Sequence, residues 1–150
     1  MPGTYSQILL HVVFSTKQRR TYITPEIKER LYDYVGGIIR AEKGTRYAIG
    51  GMPDHLHLLF RWRTDEAISD LMRTVKARSS RWVHDTSPDS RAFAWQEGYA
   101  VFSVSKSAEA NVKAYIENQA EHHRKRDFAE ELLALLDAHG IEYDEHFVLD

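Results

Sequence analysis

The sequence predicts an α+β fold, an antiparallel β-sheet with helices on one face and extra helices at the C-terminus. Three observations lead there. Apolar residues run at strand-like density over residues 5–14 and again over 54–62. Between 24 and 42, and between 64 and 82, they recur at helical spacing. The order along the chain is strand–helix–strand–strand–helix–strand, and helices follow.

Residues 5–14 are rich in Leu, Val, Ile and Phe, as a mostly buried strand requires. Thr24-Pro25-Glu26 opens the first helix, with Thr as N-cap and Pro at the first helical position. Ile27, Leu31, Tyr34, Val35 and Ile38 then share a face to about Glu42. Gly36-Gly37 within that pattern suggests a close packing contact, and Gly44 reads as the C′ residue that ends the helix. Residues 45–50 and 54–62 form two strands joined by a turn around Gly51-Met52-Pro53. Thr64-Asp65-Glu66 opens a second helix whose stripe is Ile68, Leu71, Met72, Val75 and Trp82. A polar loop follows over 84–91, then a strand or hairpin over 94–104, interrupted near Glu97-Gly98. Ser107 caps a third helix running to about His123, and residues 128–138 form a fourth, closed by Gly140. This is the split βαβ, ferredoxin-like or RRM-like layout, expected as a single domain over residues 1–150.

A chain of 150 residues is long enough for one real hydrophobic core. No window approaches the roughly 20 apolar residues of a membrane span, and the N-terminus lacks the charged-then-apolar layout of a signal peptide. A cytoplasmic protein with no membrane partner is the expectation. Without cysteine there are no disulfides, no thiolate metal sites and no cysteine nucleophile. No G-x-x-x-x-G-K-[ST] loop occurs, so no nucleotide cofactor is expected.

The net charge of −2 conceals an asymmetry. Residues 127–150 hold eight acids and no Lys or Arg, whereas 1–126 hold 14 acids against 20 bases. The bases cluster at Lys17, Arg19 and Arg20, at Arg61 and Arg63, at Arg73, Lys76, Arg78 and Arg81, and at Arg124, Lys125 and Arg126. Such clusters suit a phosphate backbone; solvated helix faces are the alternative.

Within the third strand, His55 and His57 stand two residues apart. Side chains i and i+2 of a strand share a face, about 7 Å apart, so two imidazoles can meet one divalent ion while Leu56 turns to the core. An ordinary strand pair is the alternative. If the helices cover the opposite face, a cationic groove around the histidines stays open. Tyr115 and Gln119 are four apart on the third helix and share one of its faces. Without the histidines, Tyr115 reads as a half-buried packing residue and Gln119 as a surface one, because that spacing is common on helices. Together with the histidines they have a coherent chemistry. A metal held by His55, His57 and Gln119 would polarise a phosphodiester, and Tyr115 would attack phosphorus. A tyrosine with a pKa near 10 needs help to deprotonate, and no residue identifies itself as the source.

These segments resemble a known family. Pro53-Asp54-His55-Leu56-His57-Leu58-Leu59 is similar to the histidine–hydrophobe–histidine motif of the small single-tyrosine (HUH) transposases of bacterial insertion sequences, including the REP-associated group. Tyr115-x-x-x-Gln119 matches their nucleophile-and-ligand motif. Trp95-Gln96-Glu97-Gly98-Tyr99 and Phe102-Ser103-Val104-Ser105 resemble the segment preceding that helix, and the resemblance extends over Gln119 to His123 and His139 to Tyr143. It covers residues 5–147.

The resemblance implies a transposase that binds hairpin ends of single-stranded DNA. It would cut and rejoin through a 5′-phosphotyrosine at Tyr115, with Mg²⁺ or Mn²⁺ on His55, His57 and Gln119. It also implies a homodimer that pairs the histidines of one subunit with the tyrosine helix of the other. Lys17, Arg19 and Arg20 are then the first candidates for hairpin contacts, and Lys76 and Arg78 the next. Two other functions stay open: a non-catalytic single-stranded nucleic-acid-binding module on the same fold, and a small metal hydrolase in which Tyr115 is a spectator. His122 and His123 either approach the site or complement a helix end. His11, His84, His139 and His146 have no partner spacing and read as structural, and Trp62, Trp82 and Trp95 as core residues.

Overall fold

The computed structural model describes residues 3–123, 126–145 and 148. Strand β1 (Ile8–Ser15) lies inside the sheet, helix α1 (Pro25–Ala41) follows, and β2 (Thr45–Met52) and β3 (His55–Trp62) form a hairpin. After α2 (Ile68–Thr86) comes β4 (Ala100–Val104), and then α3 (Glu109–Glu117), α4 (Gln119–His122) and α5 (Phe128–Ala138). The sheet order is β2-β3-β1-β4, antiparallel throughout. That is the split βαβ arrangement with additional C-terminal helices.

Both faces of the sheet are covered, and alternation along the strands sorts the two cores. Val12 and Phe14 of β1 and Leu56, Leu58, Phe60 and Trp62 of β3 pack on Ile27, Leu31, Val35 and Ile39 of α1 and on Leu71, Met72 and Val75 of α2. On the reverse face, Leu9, Ala48, Leu59 and Val104 meet Ile116 of α3, while Val13 and Phe102 meet Phe128, Leu132 and Leu136 of α5. His55 and His57 are on this second face, since they alternate with Leu56 and Leu58. The C-terminal helices therefore close over the histidines, and the open cationic groove allowed by the sequence is not what forms there.

Several local expectations are corrected. Helix α1 does not end on Gly44. Its left-handed residue is Lys43 (φ 69°), and the amides of Gly44 and Lys43 bond back to the carbonyls of Ile39 and Arg40, a Schellman closure. Glycine is needed at 44 for space: a Cβ there would stand 2.9 Å from Ile39 Cγ2 and 3.1 Å from Trp62 Cε3. Thr24 is the N-cap by position, and its carbonyl takes the Lys28 amide, but its hydroxyl caps no backbone N–H. Helix α2 starts after Ala67 instead of at Thr64, and runs on to Thr86 into the expected loop. Ser107 sits inside a 3₁₀ turn (Lys106–Ala108) and bonds Ser105, so α3 starts two residues later. The third helix also does not run to His123. It breaks at Asn118 (φ −107°, ψ 32°) and resumes as α4. The 94–104 stretch divides in two: Trp95 bridges to Thr16 beyond the end of β1, and β4 begins only at Ala100.

No helix of the described residues is long and apolar enough to cross a membrane. Arg124, Lys125 and His146 lie outside the described residues, as does the side chain of His122.

Candidate functional site

Strand β3 presents His55 and His57 toward α3–α5, and neither has any solvent exposure. Each ring is held at its Nδ1, which leaves its Nε2 facing inward. His55 Nδ1 lies 2.7 Å from Asp54 Oδ1. His57 Nδ1 lies 2.8 Å from Nε2 of His11, which reaches across from β1. The two Nε2 atoms converge on Glu131 Oε1, at 3.2 Å from His55 and 2.9 Å from His57. Metal-binding histidines are oriented in this way through their second nitrogen.

Glu131 is 1% exposed and is the hub of the site. Its Oε1 also accepts from His123 Nε2 at 3.2 Å, and its Oε2 accepts a hydrogen bond from the Tyr115 hydroxyl. Gln119 is 2% exposed, and its Oε1 accepts from His55 Nε2 and His123 Nε2, both at 3.1 Å. His55, His57, Tyr115 and Gln119 thus come together within one chain, although Tyr115 and Gln119 sit on opposite sides of the Asn118 break. Close approach of α3 to the sheet makes this possible. A Cβ on Gly50 would stand 2.2 Å from the Ile116 carbonyl oxygen, so only a bare strand lets the tyrosine helix in.

A carboxylate this deeply buried is costly unless fully paired. Burial favours its protonated form, but hydrogen bonds from His55 and His57 outweigh that and hold Glu131 far below the carboxylate range. Burial also opposes charge on His55, yet Asp54 and Glu131 overcome it and push the ring up to about 9. For His57 burial prevails and its pKa falls, despite the opposing pull of Glu131. Burial and the neighbouring His57 bring His11 down to about 3. The Tyr115 hydroxyl is pushed up, first by burial and then by Glu131. Among these three rings charge is therefore favoured on His55 and disfavoured on His57 and His11.

One ligand atom each from His55, His57 and Glu131 lies within 4.8 Å of the others, so these three can hold a metal ion. Two imidazole nitrogens and a carboxylate oxygen suit a divalent first-row ion, and the anchored Nδ1 atoms leave both Nε2 atoms converging on this group. Gln119 Oε1 is beside this group as a further oxygen donor.

The spacing of the sequence gives His11 no partner and Glu131 no role, yet both are built into the site. Glu131 left a trace: it falls on the apolar stripe of α5, between Phe128 and Leu132. Of the residues proposed for DNA, Lys17, Arg19 and Arg20 are exposed on a turn in which Gln18 and Arg19 have positive φ (56° and 55°). That turn is latched to the histidine hairpin, because Thr16 N bonds Asp54 O and Ile23 N bonds Pro53 O. Arg78 is exposed. Lys76 is not: its ammonium bonds the carbonyls of Gln96 and Gly98 and so pins that loop. Trp62 and Trp95 bond Glu66 O and Ser79 Oγ, and Trp82 stacks on Tyr34. His84 bonds Phe93 O, and His139 bonds Leu135 O and stacks on Phe102.

Residues 4–119 match the family model of IS200-like transposases. The ISDra2 transposase TnpA of Deinococcus radiodurans is 26% identical over 122 residues, covering 78% of this chain and 87% of that protein. A crystal structure described as a transposase from the same organism is similar with a TM-score of 0.64 and 27% identity, over 79% of this chain and 95% of that one. A REP-associated tyrosine transposase bound to a REP hairpin gives a TM-score of 0.56 at 15% identity, over 77% and 68%, a likeness of fold. Helix α5, with Glu131, lies beyond the segment matched by the family model.

Proposed function

The chain belongs to the IS200-like transposase family, and from that premise we propose that it is a metal-dependent, single-tyrosine DNA strand transferase acting on single-stranded DNA with hairpin ends. The observation that carries this reading is the meeting of the Tyr115 hydroxyl and the His55–His57 pair on the carboxylate of Glu131. A nucleophile and a candidate ion site share one hydrogen-bonded group.

His55 Nε2, His57 Nε2 and Glu131 would hold Mg²⁺ or Mn²⁺, with Gln119 Oε1 as the fourth protein donor. When bound, such an ion polarises the scissile phosphate and neutralises charge on the leaving oxygen. Two imidazoles favour Mn²⁺, and the two oxygen donors keep Mg²⁺ in competition. The oxygen of Tyr115 attacks phosphorus, an O–P bond to the tyrosine forms, and the bond from phosphorus to the 3′ oxygen breaks. The 5′ phosphate stays on Tyr115, and the 3′ oxygen leaves with the electron pair. The hydroxyl proton leaves along the hydrogen bond to Glu131 Oε2, and the 3′ oxygen gains one to become a 3′-OH. The raised Tyr115 and lowered Glu131 both oppose this transfer in the protein alone, so it is coupled to binding of phosphate and cation. Attack by a 3′-OH on the phosphotyrosine reverses the sequence and rejoins DNA without a nucleotide cofactor.

The turn holding Lys17, Arg19 and Arg20, together with Arg78, takes the hairpin backbone; Lys76 contributes by fixing the 96–98 loop. The protein is a homodimer, and sharing of its sites would require exchange of α3 and α4 between subunits. Mixing Tyr115→Phe with His57→Ala chains tests this, because adduct formation returns only if the sites are shared.

The deciding experiment incubates an end-labelled single-stranded hairpin DNA with the protein and Mn²⁺. The wild type should give a denaturant-stable 5′-linked adduct, while Tyr115→Phe binds the DNA and gives none. An adduct that survives Tyr115→Phe overturns the assignment. Binding indifferent to EDTA, with no cleavage under either metal, would identify a binding module instead.

A further inference from the structure

We propose that the pocket at the open edge of β2 is a subsite for one nucleotide of the DNA strand that passes through the active site. It rests on the strand-transferase reading and names how the chain holds its substrate beside the reacting phosphate. Strand β2 is the outer strand of the sheet. Helix α1 packs on one side of it and α3 on the other, and between them remains a cavity of about 420 Å³, lined by Lys28, Tyr32, Arg46, Gly50, Glu117 and Gln119 among others. Gln119 is the common wall: it borders this cavity, and its Oε1 is 3.1 Å from His55 Nε2. A strand leaving the scissile phosphate past Gln119 enters the pocket directly.

Tyr32 is the second observation. It is 4% exposed, it borders the cavity, and its hydroxyl has no hydrogen-bond partner among the described residues. Buried hydroxyls are almost always paired, and an orphan calls for an explanation. The hydroxyl oxygen is itself sealed from solvent, so a base edge brought in by the substrate supplies the missing partner as the pocket wall gives way around it. One turn earlier on the same stripe of α1, Lys28 stands exposed at the rim, and Arg46 lies across the pocket with its guanidinium 3.3 Å from Asp33. These cations suit the phosphate of the same nucleotide. Glu29 and Glu117 also line the pocket, which disfavours a free phosphate and a duplex backbone alike. Carboxylates accept from the amino and imino groups of bases, so the base points inward and the phosphate outward. Single-stranded DNA can present a base in this way, whereas a paired duplex cannot.

The test uses the Tyr115→Phe protein with Mn²⁺, so that binding is read without cleavage. The probe is a fluorescein-labelled, random-sequence single-stranded 20-mer. Adding Tyr32→Phe should weaken binding about tenfold, the worth of one hydrogen bond, while Tm stays level or rises because an unpaired buried hydroxyl is gone. Adding Lys28→Ala should lower the slope of log Kd against log salt by about one. A 4-thiothymidine version of the 20-mer should crosslink to peptides containing Tyr32 or Gly50. If both variants bind like the parent and the crosslinks map elsewhere, the subsite is refuted, even where wild-type protein forms the adduct. If the pocket variants weaken binding and wild-type protein forms no adduct under any metal, the subsite stands as a binding site and the strand-transferase reading is what fails.

Discussion

The Tyr115 hydroxyl donates to the carboxylate of Glu131, which is sixteen residues further along the chain and on another helix. That one contact joins the tyrosine to the histidine pair, since the other oxygen of the same carboxylate is 2.9 Å from His57 Nε2. The arrangement places Glu131 where it accepts from Tyr115 and can also donate to an ion.

Glu131→Gln keeps the size and loses the charge. Mn²⁺ affinity, read by calorimetry or by the loss of free Mn²⁺ resonance, should fall at least about 10- to 100-fold, the range seen when metal-site groups are altered. Unchanged Mn²⁺ affinity would remove Glu131 from the ligand set.

His11 acts through His57. Replacing it by Phe fills the volume but deletes the 2.8 Å hydrogen bond that fixes the His57 ring. Mn²⁺ affinity should drop about tenfold, and His11→Gln, whose amide oxygen can still accept from the Nδ1–H of a metal-bound His57, should restore most of it. Equal loss in both variants would mean that His11 matters only for packing.

The charge state of His55 gives a pH prediction. Its folded pKa is about 9, above the ordinary 6.5, so the stability it contributes is complete below pH 6.5 and is lost as pH rises through 9. With EDTA present, Tm should decline between pH 6.5 and 9. With Mn²⁺ the decline should vanish, since the ion takes the position of the His55 proton. A flat Tm in EDTA over that window contradicts the assignment.

Gly50→Ala probes the approach of α3. The new methyl would stand 2.2 Å from the Ile116 carbonyl oxygen, so the helix must move or the fold must strain. A cost of about 1–3 kcal/mol is expected, seen as a lower Tm. Adduct yield should fall further than the remaining folded fraction explains, because Tyr115 moves with Ile116. Adduct formation in proportion to folded protein would show that the tyrosine is not positioned by this contact.

Much of this was legible in the sequence, for reasons that are local. Period-2 alternation put His55 and His57 on one face, and it marked Leu56 for the opposite core. Helical spacing found α1, α2 and α5. What escaped depends on contacts distant in the chain. His11 meets His57 only because β1 and β3 pair in the register that sets Val13 opposite His57, and no short-range pattern encodes that. Glu131 was hidden for the opposite reason: among eight acids near the C-terminus its charge looked ordinary, and only its place on the apolar stripe set it apart. The Asn118 break carries no proline or glycine to announce it, and it changes the direction of the chain between Tyr115 and Gln119.

The position of α5 also sets an order of events. During synthesis the strand histidines emerge early and the tyrosine helix later, and the carboxylate that unites them comes after both. A nascent chain, or one broken before residue 131, carries His55, His57 and Tyr115 yet lacks the hub that gathers them. Assembly of the His55–His57–Glu131 group therefore waits until α5 has been made and has packed against the sheet.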